Sequence, residues 1–209
     1  MKRYRIFPFF DFDTRARTLD PINDEWEEKV KEQHRANREN TLRNLRHEFG
    51  EQHAEQKVQN FIDLGSKPFS VIAFHNKFFA QARHAFVVGS YYPALAGACA
   101  LGERILNHLI INLRESYRSS DEYKTIYRKD SFDDWSLAIN VLESWEVLLP
   151  EVVSKYQDLK DLRNRSIHFR PETDSNDREM ALEAIKLLQQ IIGEQFSGFG
   201  PQPAYSGPS

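Results

Sequence analysis

Four stretches of the chain repeat apolar residues at the three- and four-residue spacing of an amphipathic helix. They cover residues 71–86, 93–113, 132–167 and 180–192. Pro150 interrupts the third stretch and is expected to kink or restart its helix. Because short or moderate turns join the stretches, neighbouring helices should run antiparallel. The pattern predicts an all-α fold built as an up-and-down four-helix bundle.

The segments that flank these stretches differ in composition. Residues 1–14 are aromatic and partly alternating, which predicts an extended segment or edge strand. Residues 21–48 are charged with sparse apolar positions, which predicts a helical arm. We therefore divide the chain into this N-terminal segment plus arm over 1–65, a bundle over 66–196, and a flexible Gly/Pro/Ser-rich tail over 197–209.

Charge and cysteine content exclude several classes of protein. A formal net charge of -3 argues against coating of nucleic acid or anionic membrane by bulk electrostatics. The single cysteine, Cys99, lies in an apolar run and is expected to be a small buried hydrophobe. The apolar run over 93–101 is far shorter than the roughly 20 residues that cross a bilayer. No secretory leader is recognisable, so we expect a cytoplasmic protein without a membrane partner.

Two motifs suggest chemistry that the rest of the sequence does not support. Asp11 and Asp13 form the Asp-x-Asp pair of haloacid-dehalogenase phosphatases, but Arg15 stands where that pattern needs threonine or valine. The alternation of helices and strands that such an enzyme needs is absent as well. Histidines and glutamates over 47–53 surround Gly50, but their spacing fits no metal-ligand motif. We predict neither a metal nor a cofactor.

Arg163 interrupts an apolar row in the third stretch. The row reads Val152, Tyr156, Leu159, Arg163 and Ile167, at steps of four, three, four and four. A charged side chain therefore stands where the helical pattern predicts a hydrophobic one. This exception makes Arg163 the leading candidate for a functional residue.

Asn164 follows this arginine, and His168 closes the stretch just before a proline turn. With Arg163-Asn164-Arg165-Ser166-Ile167-His168, the sequence resembles a HEPN domain over about residues 69–196. HEPN domains are four-helix bundles, and their ribonuclease members carry arginine, a polar residue, three to five further residues and histidine. The resemblance implies a homodimeric, metal-independent endoribonuclease that cleaves RNA by 2′-OH attack and leaves a 2′,3′-cyclic phosphate. It also implies catalytic roles for Arg163, Asn164 and His168.

The chemistry of these side chains agrees with that implication. Histidine transfers protons near neutral pH, arginine offers a planar charged fork to phosphate oxygens, and Asn164 can orient either partner. Arg165 and Arg170 are candidates for RNA binding, because they supply local positive potential. Five helical positions advance roughly 500°, which leaves Arg163 and His168 about 140° apart. A two-fold homodimer would bring both pairs into one cleft.

Two further points stay open at this stage. Proteins with this motif often act in toxin–antitoxin systems or antiviral defence, so an antitoxin or regulatory protein is an expected partner. The alternative is a non-catalytic helical interaction module that serves dimerisation. Arg163 would then extend from the end of the bundle, and His168 would cap the carbonyl groups of the helix.

Overall fold

A computed structural model describes residues 13–70, 72–167 and 175–196. Within these ranges the chain is all-α, with eight α-helices and no strand; a single β-bridge joins Asp13 and Lys67. The helices are α1 (Glu28–Phe49), α2 (Ala54–Leu64), α3 (Ala73–Val87), α4 (Tyr91–Leu113), α5 (Tyr123–Ile126), α6 (Trp135–Ser144), α7 (Pro150–Ile167) and α8 (Asp177–Gln195). The predicted all-α class is confirmed. The predicted segment over 1–14, save its last two residues, and the tail over 197–209 lie outside the described residues.

Helix α4 lies at the centre of the core and packs against α3, α6, α7 and α8. Its buried positions carry aliphatic or small side chains along most of its length. By length and composition alone, α4 could cross a membrane. Most of its apolar window is buried inside the molecule, however, as expected for the core helix of a folded domain.

The third predicted stretch forms two helices. Helix α6 ends at Ser144, and a tight turn follows in which Glu146 has a φ of 54°. The Val147 amide donates to the Leu142 carbonyl at 2.9 Å and closes this turn. Pro150 then begins α7, because its fixed φ and missing N–H group suit a first helical turn. Of the two outcomes expected at Pro150, the helix restarts.

Helix α2 was not predicted as a separate element, and it packs against α3 and α8. The Asn60 side chain is fully buried and donates to the Phe86 and Val87 carbonyls at 3.1 and 3.2 Å. Arg178 of α8 forms an ion pair with Asp63 of α2. These bonds satisfy the last carbonyl groups of α3 and join α2 to the helices that follow it. The proposed domain boundary at residue 65 stays a prediction.

Candidate functional site

Arg163 lies one turn from the end of α7, at the edge of the core. The row that precedes it is fully buried at Val152, Tyr156 and Leu159. The Arg163 side chain itself is 24% exposed, so its stem follows the apolar row while its head reaches solvent. The helical pattern thus places a guanidinium group at the point where the core opens to the surface.

Side chains from two other helices hold this guanidinium. Arg163 Nη2 lies 3.2 Å from Glu103 Oε2 on α4. Trp135 at the start of α6 donates from Nε1 to the same Glu103 oxygen at 2.9 Å, and the Arg163 Cζ lies 5.8 Å from the Trp135 ring centroid. One carboxylate therefore connects the indole and the guanidinium, which fixes the direction of the arginine more firmly than a lone surface ion pair would.

Gly102 allows the tryptophan to take this position. A Cβ atom at Gly102 would lie 2.9 Å from both the Trp135 ring and the Leu159 side chain. Both neighbours are buried. The absence of a side chain at Gly102 therefore lets α6 and α7 approach α4 closely on the side where Glu103 meets Arg163.

Cys99 lies one helical turn before Glu103 and is buried, as predicted. Burial raises the pKa of the Cys99 thiol to about 12, and the charge of Arg163 only partly opposes this shift. The thiol is therefore protonated at neutral pH and does not act as a nucleophile. Within the described ranges, no group of three His, Cys, Asp or Glu side chains is arranged to hold a metal ion.

The remaining predicted site residues follow Arg163 along the chain. Asn164 is exposed, and its Oδ1 accepts a long hydrogen bond of 3.4 Å from Arg163 Nη1. Arg165 is exposed as well, which leaves its charge at the surface. His168 and Arg170 lie outside the described residues. The structure thus brings Arg163 and Asn164 together, and the placement of His168 beside them stays a prediction.

Sequence reasoning missed Glu103 and Trp135. In the structure Glu103 turns towards Arg163, whereas the Arg104 Cζ lies 5.3 Å from the ring centroid of Phe78 on α3. One available indication was that residues 91–102 carry no charge, so Glu103 is the first charged residue of α4.

The arrangement around Arg163 can bind an anion that competes with the Glu103 carboxylate for the guanidinium. A guanidinium carries five N–H donors, and the contacts of Arg163 with Glu103 and Asn164 use only two of its three nitrogens. The Glu103 carboxylate partly neutralises the charge and orients the group. A phosphate oxygen approaching from solvent would meet an arginine whose position is already set.

Comparisons with protein-family models, with curated protein sequences and with solved structures found no match to this chain.

Proposed function

We propose that this chain is one subunit of a homodimeric, metal-independent endoribonuclease of HEPN type. In this proposal α3, α4, the α6–α7 pair and α8 form the up-and-down four-helix bundle. The observation that carries the proposal is the fixed, partly exposed guanidinium of Arg163, which precedes His168 by five positions in the sequence. We also propose that the protein acts in the cytoplasm under the control of an antitoxin or regulatory protein.

The reaction needs two proton transfers and one stabilised phosphate. A neutral His168 removes the proton from the ribose 2′-OH, and the oxygen attacks the adjacent phosphorus. Arg163 stabilises the added negative charge on the pentacoordinate phosphate. A protonated histidine, supplied by the other subunit, gives its proton to the departing 5′ oxygen. The products are a 2′,3′-cyclic phosphate and a free 5′-hydroxyl group.

Asn164, Arg165 and Arg170 have supporting roles in this scheme. The Asn164 amide already contacts Arg163, and its amide group can also bond to a phosphate oxygen or to an imidazole. Arg165 and Arg170 would hold the RNA backbone on either side of the cleaved bond. No step requires a metal or a cofactor.

The homodimer requires a contact surface close to Arg163, and α4 offers one. Ala96 and Ala100 are exposed on the same helix that carries Glu103, and the exposed face bears no charge before that residue. A groove of about 360 Å³ between α3 and α4 borders this face and is lined by Phe78, Gly97 and other residues. Small exposed side chains allow a second backbone to come close. A two-fold axis near this face would place the two α7 ends side by side.

One observation favours the alternative, a non-catalytic interaction module. The contacts of Arg163 with Glu103 and Trp135 give the guanidinium a structural role, since they connect α7 to α4 and α6. A partly exposed ion pair of this kind contributes up to about 1 kcal/mol to stability. In that case Arg163 would matter for folding and dimerisation, and RNA would not be cut.

The decisive experiment is an RNA cleavage assay in the presence of EDTA. Wild type is compared with Arg163→Ala, with His168→Ala and with Gln157→Ala, which changes an exposed residue of the same helix and serves as the matched control. We expect the histidine variant to lose about 10²–10⁴-fold in rate, since general acid–base catalysis contributes that much. The arginine variant should lose about 10²–10³-fold, and the control should cut normally.

Product analysis and light scattering complete the test. The fragments should carry 2′,3′-cyclic phosphate ends, and the active species should have the mass of a dimer. Equal cleavage by wild type and both site variants would refute the proposed site. If wild type cuts no RNA, even at high protein concentration and as a dimer, the interaction module is the better explanation.

A further inference from the structure

The connection between α4 and α6 carries a set of planar side chains, of which Tyr127 and Arg128 are exposed and Tyr123 is partly buried. Tyr123 and Tyr127 stack with ring centroids 5.7 Å apart and an interplanar angle of 26°. The Arg128 Cζ lies 5.0 Å from the Tyr127 ring centroid, and Tyr127 is 39% exposed. Two rings and a guanidinium thus stack at a surface that is open to solvent. None of these residues takes part in the site around Arg163.

The segment that carries the tyrosines is firmly held. Ile126 between them is fully buried, and Arg114 Nη1 donates to the Lys129 carbonyl at 2.6 Å. Just before them, the rings of Tyr117 and Trp145 stack at 4.5 Å with an interplanar angle of 2°. Because these contacts fix the backbone, the exposed Tyr127 and the partly buried Tyr123 lie on a rigid support rather than on a loose loop.

Charged side chains of both signs lie near the stacked rings, and the Tyr123 hydroxyl donates to Glu115 Oε1 at 3.3 Å. Residues 118–129 include four cationic and two acidic side chains, in a chain whose net charge is -3. Arg118 pairs with Glu115, but Lys124, Arg128 and Lys129 form no ion pair within the part of the chain that the structure describes. Their charges are therefore available to an anionic partner.

We infer that Tyr123, Tyr127 and Arg128 form a base-stacking surface for single-stranded RNA, with Lys124 and Lys129 contacting its phosphates. Bases stack on tyrosine rings and on arginine guanidinium planes alike, while nearby lysines follow the backbone. Duplex RNA does not fit as well, because its bases are already stacked on each other. The choice of RNA as the ligand rests on the proposed ribonuclease function.

The surface lies at the far end of α4 from the candidate site. Glu103 and Arg163 meet near the middle of α4, whereas the tyrosines follow its C-terminal end. Ten residues of α-helix from Glu103 to Leu113 span about 15 Å. A strand of a few nucleotides covers that distance. The surface would therefore hold the RNA on one side of the cleaved bond.

The test is a binding assay with a labelled 2′-O-methyl RNA oligonucleotide, which lacks the attacking 2′-OH and is not cut. Wild type is compared with Tyr127→Ala, Tyr123→Ala and the double variant. Trp26→Ala is the matched control, because Trp26 is an aromatic residue that is 37% exposed in the segment before α1. Tyr127→Phe keeps the ring and should retain binding. Thermal unfolding of each variant confirms that it is folded.

We expect each alanine variant to bind roughly 5- to 150-fold more weakly, which is the range for one lost stacking contact. Lys124→Ala should lower the slope of log affinity against log salt by about 1, as for one lost phosphate contact. Unchanged binding by the double variant would overturn the inference, as would equal weakening by the control. A lack of RNA binding by wild type would overturn it too. Polyglutamate, which is anionic but has no bases, tests whether charge alone explains binding: if it binds as tightly as RNA and the tyrosine variants bind it as well as wild type does, the inference fails.

Cleavage of unmodified RNA separates this inference from the proposed function. If wild type cuts RNA and the tyrosine variants bind and cut equally well, the stacking surface is refuted while the ribonuclease stands. If binding depends on the tyrosines but no RNA is cut, the ribonuclease is refuted and the stacking surface stands.

Discussion

Gly102→Ala tests whether the site depends on the close approach of α6 and α7 to α4. The added methyl group would lie 2.9 Å from atoms of both Trp135 and Leu159. Carbon atoms in good contact lie about 3.5–4.0 Å apart, so each neighbour would have to move by about 0.6 Å or more. One of these buried neighbours is the Trp135 indole that donates to Glu103, so the shift would disturb that hydrogen bond.

The size of the effect follows from two opposing contributions. Overpacking a buried position costs about 1–3 kcal/mol. Alanine recovers up to about 1 kcal/mol, because it is a better helix former than glycine. We therefore expect Gly102→Ala to lower the free energy of unfolding by up to about 2 kcal/mol. In a protein of this size, that loss corresponds to a drop in Tm of up to about 8 °C.

Gly97→Ala, on the same helix, is the matched control. A Cβ atom at Gly97 would meet only Ala82, with its Cβ at 3.5 Å and its Cα at 3.9 Å, and both are ordinary contacts. This variant should gain about 0.5–1 kcal/mol in helix stability. Thermal and urea unfolding of both variants measure the difference. If Gly102→Ala is as stable as Gly97→Ala, the close packing at Gly102 does not constrain the site.

Two further predictions concern charge. Glu103→Gln keeps an acceptor for Trp135 but removes the charge that faces Arg163, so RNA should bind more tightly, while stability changes by no more than about 1 kcal/mol. The gain should vanish in an Arg163→Ala background, and a gain that persists there would contradict a phosphate role for Arg163. Burial lowers the pKa of His75 to about 3, so the unfolded chain binds more protons than the folded one between that pH and the ordinary value of about 6.5. Stability should therefore fall on acidification through this window, by up to about 1.4 kcal/mol per pH unit. Urea unfolding across pH should show that the free energy of unfolding of His75→Gln falls less steeply than that of wild type. His47→Gln, which alters an exposed histidine, should follow wild type. If wild type and both variants give parallel curves, buried His75 is not the cause of the pH dependence.

The helices of the body could be predicted because their buried faces repeat at the period of an α-helix. The row Val152, Tyr156 and Leu159 is fully buried, as its spacing indicates. Helix α2 escaped prediction because a polar residue, Asn60, occupies one of its buried positions. Its side-chain amide donates to the last carbonyl groups of α3, and the sequence around Asn60 does not indicate that these distant carbonyls are its partners.

Arg163, but not the residues that hold it, could be recognised from the helical pattern of the sequence. Arg163 stands out because a charged residue breaks an apolar row, and this needs only the sequence around it. Glu103 and Trp135 could not be assigned to it, because they come from other helices and their pairing depends on how those helices pack. A single sequence contains no direct record of which residues meet across the core.

The contacts of Arg163 also bear on why an arginine is there. A partly exposed ion pair contributes no more than about 1 kcal/mol to stability, so stability alone does not explain the choice of charge. A leucine or methionine at Arg163 would continue the apolar row and still cover Trp135. Arginine instead brings a permanent charge to the surface, and Glu103 fixes its direction while leaving N–H donors for another partner. A charged group that is oriented by its neighbours and open to solvent has the properties that anion recognition requires. The same contacts limit the affinity of Arg163 for phosphate, because any phosphate must compete with the Glu103 carboxylate.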